Sequence, residues 1–393
     1  MNIIILTDPF GKPLYVPRVR YLADYLVRQG HQVCVFSENI EPINFTHNYQ
    51  LHTWRFVNSP LDWAVKSFLS LITDYKSRWF TRKVSGCINQ YIDCIIVSTS
   101  YTFPLNTALT LAKHHNAKLL VDLRDVTEQA PNMHLISHRQ WWLKPFAIIY
   151  DKINIKRRNR VLRQANAITT ISPWHRQFLS QFNNNVHLIY NGFDRSEFYP
   201  VTCHTDTFNI TYTGKLYSAS LRNPQLLFEA VQILKNNIPE MQLHWYIDDE
   251  SRAVISSFAK QYDIPQLIHL HDYVPRSQIN DILNQSSIIL VLGNKSTPQG
   301  PHGIMTTKFF EALGAKRPIL VVRSDEDCLE HTVIQTNAGC AARNINDVVN
   351  FISGCYEQWK NNNGYIIQNN KSGNYDREIL SQQFLHVIQQ LFD

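Results

Sequence analysis

Short apolar runs rich in Ile, Leu and Val recur along the chain, separated by segments whose apolar residues return every three or four positions. In the first half the runs at residues 2–6, 32–37, 94–99, 118–123, 167–171 and 187–190 predict strands. A continuous apolar run suits a strand buried on both faces, and its alternation with helical segments is the signature of βα units around a parallel sheet. Between the first two runs Val19, Leu22, Ala23 and Leu26 fall at i, i+3, i+4 and i+7, one apolar stripe of a helix that Gly30 closes.

From Phe208 the alternation restarts, with strands predicted at 209–213, 242–247, 268–271, 288–292 and 319–322. The intervening NGFDRSEFYP and VTCHTDT are polar, contain Pro200 and have no apolar period, which predicts a surface linker and a domain boundary near residue 200. The expected division is 1–200, 201–374, and a C-terminal helix over 375–393. That helix carries Ile379, Leu380, Phe384, Val387, Ile388 and Leu391 on one face, to be packed back toward the N-terminal domain. The fold class is α/β.

Composition narrows this picture without redirecting it. The 393 residues are 44% hydrophobic and only 18% charged, so disorder is excluded and room exists for two domains. The opening MNIIILTDPF lacks a basic leader and is too short for a membrane span, so a cytosolic chain is expected. Seven cysteines stand without CxxC spacing, which predicts reduced, mostly buried thiols. A net charge of +6 over this length is too small for a dedicated nucleic-acid binder.

In open parallel sheets ligands sit at the carboxyl ends of strands, and four such places carry candidate chemistry. After the first strand, Gly11 allows either a plain turn or a close backbone approach to a ligand; no GxGxxG follows any strand. After KLLVDL come Arg124, Asp125 and Glu128, readable as strand-end ion pairing or as groups facing a ligand. After the first strand of the second half, Gly214 with Lys215 and Arg222 offers close approach and two cations for a diphosphate, or else a solvated pair.

The fourth place is HGIMTTKFFEALGAKRPIL, where a loop feeds a helix whose first N–H groups, around Thr306 and Thr307, form a natural phosphate site. Glu311, between apolar neighbours on that helix, can accept from both hydroxyls of a ribose. The carboxylate runs Asp248-Asp249 and Asp325-Glu326-Asp327 read as helix caps, and no metal-ligand spacing occurs.

TGKLYSASLRNPQLLFEA, HGIMTTKFFEALGAKRPIL and NGFDRSEFYP resemble stretches of GT-B retaining glycosyltransferases, family 4-like, of the bacterial surface-polysaccharide type. The resemblance implies two facing Rossmann-like domains with a cleft, and a sugar moved from a nucleotide diphosphate donor to a saccharide acceptor. It places Lys215 and Arg222 at the donor diphosphate, as catalytic residues with Asp125, and Glu311 at the ribose. Tyr273 and Val274 meet the base, while Arg124 and Glu128 lie on the acceptor side. The family's commonest donor motif has a further glutamate where this chain has Gly303, so Lys308 with Glu311 fits a KxxE subset and sugar recognition falls to backbone groups or His302. Neither cofactor nor metal is implied, since the nucleotide-sugar is a substrate. A sugar-nucleotide epimerase and a non-catalytic binding protein share this architecture.

The stretch WWLKPFAIIYDKINIKRRNRVLR mixes aromatic and aliphatic residues with seven cations between Lys144 and Arg163, as does the segment from Trp63 through Phe68 and Trp79 with Lys66, Lys76, Arg78, Arg82 and Lys83. Either can lie on an anionic membrane face or be a helix with one solvated basic side. A lipid-linked acceptor and peripheral association with the inner leaflet fit the first reading.

Overall fold

The computed structural model describes residues 1–8, 17–38, 49–129, 144–216, 222–293 and 301–393, and Gly11 lies outside them. The chain forms two compact units, residues 1–190 with 377–393, and residues 191–376.

In the first unit β1 (Asn2–Thr7), α1 (Pro17–Arg28), β2 (Gln32–Glu38), β3 (Gln50–Trp54), α2 (Pro60–Thr73), α3 (Tyr75–Ser85), β4 (Cys94–Thr99), α4 (Leu105–His115), β5 (Lys118–Leu123), α5 (Lys144–Leu162), β6 (Ala167–Thr170), α6 (Pro173–Leu179) and β7 (Val186–Leu188) follow one another. The strands form one parallel sheet in the order β3-β2-β1-β4-β5-β6-β7. Alternate residues of β1 supply two cores. Ile3 and Ile5 pack with Val19, Leu22, Ala23 and Leu26 of α1, whereas Ile4 and Leu6 pack with Phe80, Leu105, Leu109 and Val161 from the other face.

The second unit contains β8 (Phe208–Thr213), α7 (Gln225–Leu234), β9 (Met241–Tyr246), α8 (Asp249–Gln261), β10 (Ile268–His271), α9 (Arg276–Asn284), β11 (Ile288–Leu292), α10 (Thr307–Ala315), β12 (Ile319–Val322), α11 (Cys328–Thr336), β13 (Gly339–Ala341) and α12 (Ile345–Asn361). Its parallel sheet runs β10-β9-β8-β11-β12-β13, the strand order of the first six strands of the other unit. The last helix, α13 (Arg377–Gln389), belongs to the first unit. Leu380, Phe384, Val387 and Ile388 join the α1 core, and Glu378 receives Tyr21 at 2.8 Å and Arg28 at 2.6 Å.

The unit boundary falls at Asn191, about ten residues before the expected linker end near 200. The cause is packing of the intervening segment on the second unit. Phe193 N–H donates to Tyr375 O, Tyr199 N–H donates to Asn280 Oδ1, and Phe193 and Phe198 lie so close to Gly314 of α10 that a Cβ there would meet them at 2.7 and 2.8 Å. Strands β3 and β13 escape the sequence pattern: β3 is an edge strand in which Leu51 and Trp54 stand among polar residues and none is buried, and β13 is three residues long. All seven cysteines are free thiols, and burial pushes Cys34, Cys94 and Cys355 up to about 12.

Candidate donor site and its charge balance

β8 and β11 are neighbours whose connections leave to opposite sides of the sheet, so a crevice opens beyond their carboxyl ends. Gly214 ends β8 with φ +123°, and a Cβ there would come within 2.0 Å of Lys308 Cε and 2.5 Å of its Nζ. A side chain there would be strained by that φ and would displace the lysine from its present position. Across the crevice Arg222 Nη1 donates to Leu292 O at 2.9 Å, at the end of β11.

Burial lowers the Lys308 pKa, the nearby Arg222 lowers it further, and Glu311 partly opposes them. Among the described residues neither Arg222 nor Lys308 has a carboxylate at ion-pair distance. Thr306 precedes α10 in extended conformation and its side chain makes no capping bond, so the positive end of the helix is not closed by an oxygen of its own cap. A small cavity of about 20 Å³ is lined by Arg222, Gly293, Gly303, Thr306 and Asp325, among others. Thr306 is half-buried and Thr307 exposed.

Lys215 departs from the sequence expectation. Its ammonium lies 3.0 Å from Asp248 and 2.7 Å from Glu250, whose hydrogen bonds raise its pKa. These carboxylates open α8, where Asp248 also caps Ser251 N–H at 3.1 Å, so the acidic run does serve as a cap. The cation grouped with Arg222 is Lys308 instead.

Glu311 is buried, yet it is not solitary: Arg276 Nη1 binds its Oε1 at 2.6 Å. Arg276 also binds Glu197 at 2.9 Å and lies over the Phe198 ring at 4.9 Å. Burial would lower the Arg276 pKa, but Glu311 and Glu197 outweigh it and raise it. One side of the Glu311 carboxylate is thereby fixed. Tyr273, 65% exposed, and half-buried Val274 lie in the segment between β10 and α9. His302 Nδ1 stands 3.5 Å from Asp327 Oδ2, which also accepts Gly303 N–H at 3.2 Å. Asp325 receives the Leu329 and Glu330 N–H groups at the start of α11, as a capping carboxylate should.

In the first unit the open reading of Arg124 and Glu128 resolves toward pairing. Arg124 Nη2 binds both oxygens of Asp8 at 2.7 and 2.8 Å, and Ser100 N–H donates to the same carboxylate at 3.0 Å. Glu128 takes a two-pronged contact, 2.6 Å on each oxygen, from the fully buried Arg158. Asp125 is exposed. Below them Asp122 is buried with Arg18 at 3.0 Å and the hydroxyls of Ser98 and Thr169 at 2.7 and 2.8 Å. Burial would raise the Asp122 pKa, but Arg18 and the two hydroxyls hold it below the usual carboxylate range.

Sequence reasoning missed Arg276, Asp8, Glu250 and the role of Asp327. Each lies far along the chain from its partner, 35 residues for Arg276 and Glu311, so no local spacing announces it.

Residues 17–197 match the family described as Glycosyltransferase Family 4. A sequence search of the curated proteins finds no match. Among solved structures, the chain is similar to sucrose-phosphate synthase from Thermosynechococcus elongatus, at TM-score 0.70 and 16% identity over 100% of this chain and 99% of that one. It is similar to Anabaena HepE in complex with UDP, at TM-score 0.64 and 13% identity over 99% and 100%. It is also similar to a putative UDP-N-acetylglucosamine 2-epimerase from Listeria monocytogenes, at TM-score 0.61 and 12% identity over 100% and 97%. The chain therefore has the GT-B fold, and its residues 17–197 are similar to Glycosyltransferase Family 4.

Proposed function

We propose that this protein is a retaining, metal-independent hexosyltransferase that moves a sugar from a nucleoside diphosphate, with UDP the first candidate, onto a lipid-linked saccharide in surface-polysaccharide synthesis. One observation carries the donor half of this reading. Two cations without carboxylate partners among the described residues, Arg222 and Lys308, meet beside Gly214 and the open N-terminal end of α10 at a sheet switch point. A diphosphate there would relieve the Lys308 charge that burial and the nearby Arg222 make unfavourable.

As the bond between sugar and phosphate loosens, negative charge grows on the leaving oxygen, and preorganised donors stabilise it most at that moment. Each is worth about 10²–10³ in rate. Arg222 and Lys308 supply this charge, and the fixed Glu311 receives a ribose hydroxyl on its free side. Retention follows from same-face attack with the departing phosphate as base, as the family resemblance implies. UDP in the Anabaena structure favours a uridine nucleotide. The apolar and basic surface of the first unit fits a lipid-linked acceptor and peripheral association with an anionic inner leaflet.

Incubation with UDP-, GDP-, ADP- and dTDP-sugars, with and without a lipid-linked saccharide extract, tests the proposal. Acceptor-dependent loss of donor with retained anomeric configuration is expected. Interconversion of the donor without acceptor identifies an epimerase instead, and binding without turnover identifies a non-catalytic protein.

A further inference from the structure

Helix α2 has its polarity inverted. Leu61, Val65, Phe68, Leu69 and Ile72 fall at i, i+4, i+7, i+8 and i+11, one stripe at about 100° per residue, and such a stripe ordinarily packs on the core. Here it faces out: these five side chains are between 38% and 76% exposed, and the helix buries no residue. The half-buried residues are the polar Asp62, Lys66, Ser67 and Ser70 together with Leu71, and Trp63 is a further exposed apolar side chain.

Named bonds hold the helix in this orientation. Ser59 caps its start, accepting Asp62 N–H at 3.2 Å, and Lys66 bridges to Asp62 at 2.9 Å while donating to Phe56 O. At the far end Arg157 of α5 donates to Ser70 O at 2.9 Å and Leu71 O at 2.7 Å, and Lys76 N–H donates to Ser70 Oγ at 3.1 Å. The polar face is therefore anchored to the unit and the apolar face is left outward. A contiguous apolar stripe kept in water marks an interaction surface.

The charges on neighbouring elements choose the partner. Arg78, Arg82 and Lys83 of α3 and Lys144, Lys152, Lys156 and Arg160 of α5 are exposed, and among the described residues none pairs with a carboxylate. Asp62 and Asp74, by contrast, are engaged by Lys66 and Arg157. The outward charge is positive, which attracts an anionic lipid surface and repels a second copy of the same face. α5 adds exposed Phe146, Ile148, Ile149 and Tyr150, but these lie on several sides of that helix, and its Asp151 and Arg158 are buried, so α5 is not the amphipathic element its sequence suggested. No helix among the described residues is long and apolar enough to cross a membrane.

We infer that α2 lies flat in the interface of an anionic bilayer, with Leu61, Val65, Phe68, Leu69 and Ile72 inserted among the acyl chains and the cations of α3 and α5 over the headgroups. This deepens the peripheral association proposed above and rests on that part of the reading only, not on the sugar chemistry.

Sedimentation with phosphatidylcholine vesicles, with and without phosphatidylglycerol, tests it without any sugar nucleotide. The expected result is pelleting with the anionic vesicles, and about tenfold or greater loss of partitioning for the double variant Val65→Asp/Phe68→Asp. The variant should keep the thermal melt and UDP affinity of the parent, because both side chains are already in water. Ile334→Asp, an equally exposed apolar residue of the second unit, should bind vesicles as the parent does. Arg82→Glu/Lys83→Glu should weaken the preference for phosphatidylglycerol. Parent protein that stays in the supernatant with both vesicles overturns the inference, as does a Val65→Asp/Phe68→Asp variant that still pellets. A concentration-dependent dimer that this variant abolishes, without vesicle binding, assigns the face to a second copy instead. Donor turnover with a soluble saccharide acceptor is measured in parallel, so failure of the transferase reading shows separately.

Discussion

The two units share a strand order but differ in how charge is settled at the ends of their central strands. In the first, the cations and carboxylates there answer one another: Arg124 with Asp8, Arg158 with Glu128, Arg18 with Asp122. In the second, Arg222 and Lys308 meet with no carboxylate at ion-pair distance among the described residues, and Glu311, which acts on Lys308, is committed to Arg276. The sheet topology provides a crevice in both, and the charge balance decides which crevice takes an anion. A neutralised switch point stabilises a fold, whereas an uncompensated one stores a cost that an anionic ligand relieves.

Removing one side of a neutralised pair should show the largest effect. Asp122→Ala leaves the Arg18 guanidinium buried without its carboxylate, a change of about 3–5 kcal/mol in similar buried pairs. Urea unfolding should report that loss, with unchanged UDP affinity in the folded fraction. Stability equal to the parent would show that Arg18 is satisfied by the Ile189 and Tyr190 carbonyls it also contacts, and the contrast between the units would collapse.

The opposite pattern is expected in the second unit. Lys308→Ala and Arg222→Ala should each lower kcat/KM about 10²–10³-fold. Lys308→Ala should leave the melting temperature unchanged or raise it, because burial and Arg222 already disfavour its charge in the fold. Gly214→Ala should mimic the loss, since the new methyl occupies the space of the lysine. Parent-like donor kinetics in all three would remove the site.

Arg276→Gln sharpens the point by a smaller step. With its partner gone, Glu311 loses its fixed orientation, and a roughly tenfold rise in KM for the donor is expected from the weakened ribose contact, that of one lost charge-assisted hydrogen bond. A fall in kcat with unchanged KM would place Arg276 in the chemical step instead.

The sequence pattern carried most of the architecture because the central strands of both parallel sheets are buried: β4, β5, β11 and β12 coincide with apolar runs. It failed at β3, where an edge strand has no need of apolar residues on both faces. Arg222, Lys308 and Gly214 were legible because they sit at the ends of strands or helices that the pattern marks. The direction of Lys215 was not, because its carboxylates arrive from α8, more than thirty residues later. Periodicity also reveals that a helix has an apolar face but not which way it points, so the segment holding α2 stayed open between a membrane face and a helix with one solvated basic side until its half-buried side was located.

Acid sensitivity offers the smallest and most local contrast. His244 on β9 stacks with His269 at 4.9 Å and His271 at 5.2 Å between ring centres, with Nδ1 3.0 Å from His271 Nε2. Burial first, then the two histidines, lowers its pKa from 6.5 to about 4. Between those values the unfolded chain binds a proton that the folded one does not, so the second unit should lose stability as pH falls from 6.5 toward 4. Asp122 works at lower pH: its folded pKa lies below 3.8, so its contribution begins to fall only near 3.8 and is gone once pH passes that lowered value. Amide exchange read as a function of pH should therefore loosen β9 and β10 before β5, with His271, Tyr246, Arg252 and Asp272 as the other titratable groups near the stack. His244→Phe keeps a stacked ring without a titrating nitrogen and should remove the early loss; if β9 still opens first in that variant, the histidine stack is not the cause and the carboxylates of the second unit are.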